Sequence, residues 1–104
     1  MTSETLKSFL LDLSVDIKSA ITDEQKLSVM TKYDMTICGK DFNTINTIEL
    51  RACILAKLNI DISINELNSL VEIVCPSLNM KLLPMRDANA QSYSEVDCYQ
   101  IEFP

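Results

Sequence analysis

The chain has 104 residues, of which 47% are hydrophobic, and this is enough apolar material for one domain with a buried core. Nine basic and fifteen acidic residues give a formal net charge of −6, and no lysine or arginine cluster is present, which argues against a protein that binds nucleic acid. No apolar run is long enough to span a bilayer, and no basic segment precedes the first apolar residues, so we expect a cytoplasmic protein.

Side chains that commonly form catalytic and metal sites are scarce. Histidine is absent, and Cys38, Cys53, Cys75 and Cys98 stand too far apart to form a zinc-binding pair such as CxxC. No glycine-rich phosphate loop and no nucleophile with a neighbouring base can be assembled. We therefore predict no catalytic residue, no metal site and no cofactor, and free thiols in a reducing compartment.

Residues 3–18 form the first predicted helix. Its apolar face carries Leu6, Phe9, Leu10, Leu13 and Ile17, which recur at helical spacing. Leu11 and Val15 widen the apolar arc beyond the width of one packing face. A helix buried in the core is the favoured interpretation, and a helix that contacts a groove or a second chain is the alternative.

The second predicted helix begins with a capping box of Thr22 and Gln25, continues through Leu27, Met30 and Tyr33, and ends near residues 34–37. The single glycine, Gly39, then permits a left-handed turn.

Two further helices are predicted over residues 47–58 and 63–74, with a short connector that makes them neighbours. Thr47 is the expected cap of the first, Ser63 and Glu66 form a capping box for the second, and Pro76 is expected to stop it. Their apolar faces carry Leu50, Cys53, Ile54 and Leu58, and then Leu67, Leu70, Val71 and Val74. Alternation after residue 94 predicts a C-terminal strand, with residues 79–83 as its hairpin partner.

Several stretches resemble the EF-hand superfamily, and within it one lobe of calmodulin or a myosin light chain. They read ITDEQ, TINTIEL, LRACILAKL, SINELNSLVEIV and CPSLNMKL. The resemblance covers residues 21–86 of a single domain, between the helix at 3–18 and an extension at 87–104. It implies a mainly α fold, a paired helix-loop-helix lobe in which Ile45 and Leu82 form a short antiparallel bridge. A lengthened second loop over residues 89–100 is the alternative alignment.

Calcium binding does not carry over from the family. Calcium takes oxygen ligands from positions 1, 3, 5, 7, 9 and 12 of a 12-residue loop. Among the ligand positions of the window at 38–49, only Glu49 supplies a carboxylate, and Lys40 stands at another of these positions. In the window at 75–86 no carboxylate falls on a ligand position, and Arg86 takes the last one. We therefore predict no calcium binding at either loop.

The resemblance implies a calcium-independent, light-chain-like adaptor rather than an enzyme. Such a module holds a basic amphipathic helix of a larger protein, such as a motor neck or a scaffold, in an apolar groove. The candidate contact residues are Leu27, Met30, Leu55, Leu67, Val71 and Ile73.

Two alternatives start from other features. An acidic inhibitor or immunity-type protein blocks a basic enzyme surface through carboxylates, here Asp12, Asp16, Asp23, Glu24, Glu66 and Glu72. A winged helix is built from the helices at 47–58 and 63–74 and the C-terminal hairpin. Because its second helix carries Glu66 and Glu72 and no basic residue, this domain is expected to bind protein rather than DNA.

Overall fold

The computed structural model describes residues 1–85 and 97–104. In chain order the elements are α1 Ser3–Ser19, α2 Asp23–Tyr33, β1 Thr44–Asn46, α3 Thr47–Leu58, α4 Ile64–Ser77, β2 Lys81–Met85 and β3 Cys98–Glu102. The expectation of a mainly helical chain with a C-terminal hairpin is confirmed. Arg86 and most of the alternative window at 89–100 lie outside the described residues.

α2 and α4 each begin at a residue whose side-chain oxygen accepts a hydrogen bond from a free backbone N–H group. Thr22 Oγ1 accepts the Gln25 N–H at 3.2 Å, while Gln25 Oε1 accepts the Thr22 N–H at 3.1 Å, so the predicted capping box is confirmed. Ser63 Oγ caps α4 by accepting the Glu66 N–H at 3.1 Å.

Two predicted helix boundaries are wrong. Asn46 rather than Thr47 caps α3, because its amide oxygen accepts the Glu49 N–H at 2.8 Å while Thr47 lies buried in the first turn. Pro76 does not stop α4, which continues to Ser77. A proline in the last turn removes only one helical hydrogen bond, and beyond it the N–H groups of Leu78 and Met80 both bond to Cys75 O at 3.0 Å.

β3 lies at the centre of a three-stranded antiparallel sheet with the order β1-β3-β2. Ile101 faces Ile45 on one side and Leu82 on the other, so the expected direct bridge between Ile45 and Leu82 is wrong. Pro84 explains part of this order, because a strand containing proline cannot donate along its whole length and belongs at an edge. The edge of β1 that faces away from β3 forms one isolated antiparallel bridge, between Thr44 and Cys38.

The core joins all helices to one face of the sheet. α1 packs on α4 and α2, and its Leu6, Leu10 and Leu13 are completely buried. The interpretation of α1 as a core helix is therefore confirmed, and it leaves the opposite side of α1 open. No helix in the described part of the chain has the length and apolar character needed to cross a membrane.

Candidate functional site

The six predicted contact residues do not form one surface. Leu67 and Val71 are completely buried, and Met30 is partly buried against the core. Leu27, Leu55 and Ile73 are 62%, 44% and 67% exposed, and they stand on three different helices. Because α1 packs on α4, no open groove lined by Leu67 and Val71 is available to a partner helix in this conformation.

Leu27 and Met30 border a shallow depression at the C-terminal half of α2. Its other walls include Met35 and Glu49, so it joins α2 to the start of α3. Glu49 is already engaged there, because its carboxylate accepts the Thr36 N–H at 3.2 Å and the Asn46 side-chain amide at 3.3 Å. The one carboxylate at a ligand position of the first calcium-loop window thus has a structural role.

The second calcium-loop window begins inside a helix, since Cys75 belongs to the last turns of α4. Among residues 1–85 and 97–104, no three histidine, cysteine, aspartate or glutamate residues come together as a metal ligand set.

The outer face of α4 is polar and acidic. Its exposed side chains are Asn65, Glu66, Ser69, Glu72, Ile73, Pro76 and Ser77. From residue 59 to residue 78 the chain contains three carboxylates and no lysine or arginine. α4 therefore presents a negative surface with Ile73 as its large exposed apolar side chain.

Arg51 is one of the two bases of α3, and the turn between α3 and α4 engages it. Its Nε donates to Ile62 O at 2.5 Å, and its guanidinium lies 3.6 Å from the Asp61 carboxylate. This fixes the turn, and Arg51 pairs with Asp61 rather than with Glu66 or Glu72.

Buried polar groups hold α4 against the sheet. Thr47 Oγ1 donates to Asn68 Oδ1 at 3.0 Å and accepts the Tyr99 N–H at 3.0 Å. Asn68 Nδ2 donates to Asp97 O at 3.2 Å, and Tyr99 OH donates to Glu72 at 2.5 Å. These bonds set the orientation of the helix that carries the acidic face.

Sequence reasoning missed an exposed apolar stripe on α3. Ile48 is 58% exposed, and it shares a helix face with the exposed Ala52 and Leu55 because the three stand at steps of four and three. The signal was present in the sequence, since this spacing lies on the side opposite Leu50 and Ile54.

Two of the four thiols, those of Cys53 and Cys75, are buried. Burial raises the pKa of the Cys75 thiol to about 12, and burial also raises that of Cys53. A thiol that stays protonated at neutral pH is a poor nucleophile, so both residues act as small core side chains.

No protein-family model, no curated protein and no solved structure matches this chain.

Proposed function

We propose that this chain is a protein-interaction domain of the winged-helix type. The support is its order of elements: β1, α3, a short turn, α4, and then the β2–β3 hairpin, with β3 central in the sheet. In DNA-binding helix-turn-helix domains the second helix of the pair, here α4, makes the main contacts, and we infer that α4 is also the contact element of this domain.

The acidic outer face of α4 is the main observation that supports the proposal. A helix that enters the major groove of DNA meets phosphates on both sides, and proteins neutralise them with lysine and arginine. Glu66 and Glu72 would instead repel them, and the segment at 59–78 has no basic residue to compensate. A protein with a basic surface is the complementary partner.

Apolar contacts supply the binding energy in this proposal. Interfaces depend on a few buried anchors, whereas exposed ion pairs mainly steer the encounter and set the orientation. Ile73 projects from the acidic face, and Leu55 extends the apolar stripe of α3. We infer that the partner has an apolar pocket for Ile73 bordered by lysine or arginine.

Two alternative functions would use other features of the chain to bind a partner. An acidic inhibitor would bind mainly through Glu66 and Glu72, and its affinity would fall steeply with salt. A light-chain-like lobe would hold a partner helix between its own helices, and the burial of Leu67 and Val71 beneath α1 gives this alternative less support.

The test begins with the partner recovered by affinity purification of the tagged protein. Titration calorimetry then compares the wild type with Glu66→Lys/Glu72→Lys and with Ile73→Ser. Both variants should bind about tenfold more weakly, as expected for residues at the centre of an interface.

Glu24→Lys/Asp41→Lys is the control for charge, since it reverses two exposed charges elsewhere. Tyr99→Phe removes the hydrogen bond to Glu72 and keeps the carboxylate, so it controls for the loss of that bond. Both controls should bind like the wild type.

Equal affinities for the wild type and both α4 variants would contradict the proposal. Duplex DNA titrated in parallel should give no binding heat at physiological salt. Loss of binding only in Glu66→Lys/Glu72→Lys, together with a steep salt dependence, would favour the acidic-inhibitor alternative.

A further inference from the structure

α1 has a second, exposed stripe that neither the core nor the proposed α4 surface uses. It consists of Glu4, Ser8, Leu11, Val15 and Lys18, at alternating steps of four and three, and all five side chains are exposed. Leu11 is 45% and Val15 is 63% exposed. The stripe follows the side of α1 opposite the buried Leu10 and Leu13, so it forms an outer ridge of the molecule.

The ends of this stripe carry opposite charges at equal distances from its centre. Glu4 stands seven positions before Leu11, and Lys18 stands seven positions after it. In an antiparallel helix pair with a two-fold axis beside Leu11, Glu4 of each copy meets Lys18 of the other. Ser8 lies within one position of Val15 of the other copy, and the two Leu11 side chains meet on the axis.

We propose that the α1 stripe is a self-association surface and that its partner is a second copy of this chain. A two-fold interface must be complementary to itself, and the pattern acidic, apolar, basic along one helix face meets this requirement. The heptad spacing of Glu4, Leu11 and Lys18 keeps all three residues on the contact line of a packed helix pair.

The other exposed apolar stripe fits a second copy less well. Ile48, Ala52 and Leu55 of α3 have no pair of opposite charges placed symmetrically around their centre. Charge complementarity therefore points to α1 as the site of self-association.

The contact involves a single helix from each copy, which places it at the small end of protein interfaces. We expect a reversible monomer–dimer equilibrium rather than a permanent dimer. Sedimentation equilibrium between about 10 μM and about 1 mM protein covers the range in which such weak complexes dissociate.

The decisive experiment uses Glu4→Lys and Lys18→Glu, separately and mixed. Each variant alone places two like-charged pairs across the two-fold axis, and its self-association should weaken about tenfold. In the mixed dimer every pair is again of opposite charge, so the mixture should associate about as strongly as the wild type. The altered helix ends remain in the mixture, and recovery therefore reports the contact itself rather than helix stability.

Glu24→Lys and Lys40→Glu give the matched controls, because they make the same changes in net charge at exposed positions away from the stripe. Each alone, and the two mixed, should associate like the wild type. The proposal is overturned if the wild type is monomeric over the whole range. It is also overturned if the single α1 variants associate like the wild type, or if their mixture does not recover.

Discussion

At the scale of single residues, a small polar network decides how α4 is held. Thr47 is completely buried and Asn68 nearly so, and their side chains connect α3, α4 and β3. Every buried side-chain nitrogen and oxygen in the described residues has a hydrogen-bond partner. Removing one member of such a network costs more than an average hydrogen bond, because its partners stay buried.

Thr47→Val preserves the shape of the side chain and removes both hydrogen bonds of its hydroxyl. We expect the free energy of unfolding to fall by about 1–3 kcal/mol, measured by urea denaturation. Thr31→Val is the control, since the Thr31 hydroxyl bonds to Leu27 O on an exposed helix face, and it should change stability by less than about 0.5 kcal/mol. An equal effect of the two substitutions would show that the network does not stabilise the fold.

A second residue-scale prediction concerns the contact between α1 and α2. Asp16 accepts hydrogen bonds from Lys32 at 2.8 Å and from Tyr33 OH at 2.5 Å. The bond to Lys32 and then that to Tyr33 lower the pKa of Asp16 below its ordinary value of 3.8. The folded state thus favours the charged carboxylate.

Because the folded pKa is lowered, this stabilisation is present above the ordinary pKa and is lost as the pH falls through the lowered value. Urea denaturation between pH 6 and pH 2 should therefore show a smaller loss of stability in Asp16→Asn than in the wild type. The difference should stay below about 1 kcal/mol, since the Lys32 side chain is 63% exposed. Asp12→Asn controls for the removal of one carboxylate from the same helix, and Asp16→Asn should lose less stability than this control as the pH falls.

At the scale of elements, local patterns predicted the helices well but not what covers them. Ser63 and the apolar stripe of α4 indicated the helix correctly, because capping and helical spacing are local properties. The same stripe was interpreted as a groove for a partner, whereas Leu67 and Val71 lie in the core beneath α1. Helical periodicity identifies a face to be buried and says nothing about which element buries it.

The cap of α3 was predicted one residue too late because tertiary contacts compete with local capping. Thr47 and Asn46 are both suitable caps, and Thr47 instead lies in the core because Asn68 and Tyr99 bond to its hydroxyl. Those partners are distant in the sequence, so no local pattern distinguishes the two candidates.

At the scale of the whole molecule, the position of β3 was the missing information. Ile45 and Leu82 were expected to pair with each other, and each instead pairs with Ile101. Their spacing did identify two strands of one sheet, but a third strand from the C-terminus separates them. The exposed stripe Ile48, Ala52 and Leu55 was likewise visible in the sequence as the side of α3 opposite Leu50 and Ile54, but local spacing does not say whether another element covers that side.

The arrangement of elements also accounts for the proposed surface. The turn at residues 59–63 and the β2–β3 hairpin leave the outer face of α4 exposed, while its inner face contributes to the core. The central claim of the proposed function is that this acidic face contacts the partner protein.

Site-specific photocrosslinking tests that claim most directly. A photoreactive phenylalanine derivative is introduced at Asn65 or Ser69, on the outer face of α4 beside Ile73, and at the exposed Ser28 of α2 as the control. We predict a single covalent product with the partner from Asn65 and from Ser69, and none from Ser28. A product from Ser28 alone, with none from either α4 position although the partner is recovered by affinity purification, would contradict the account.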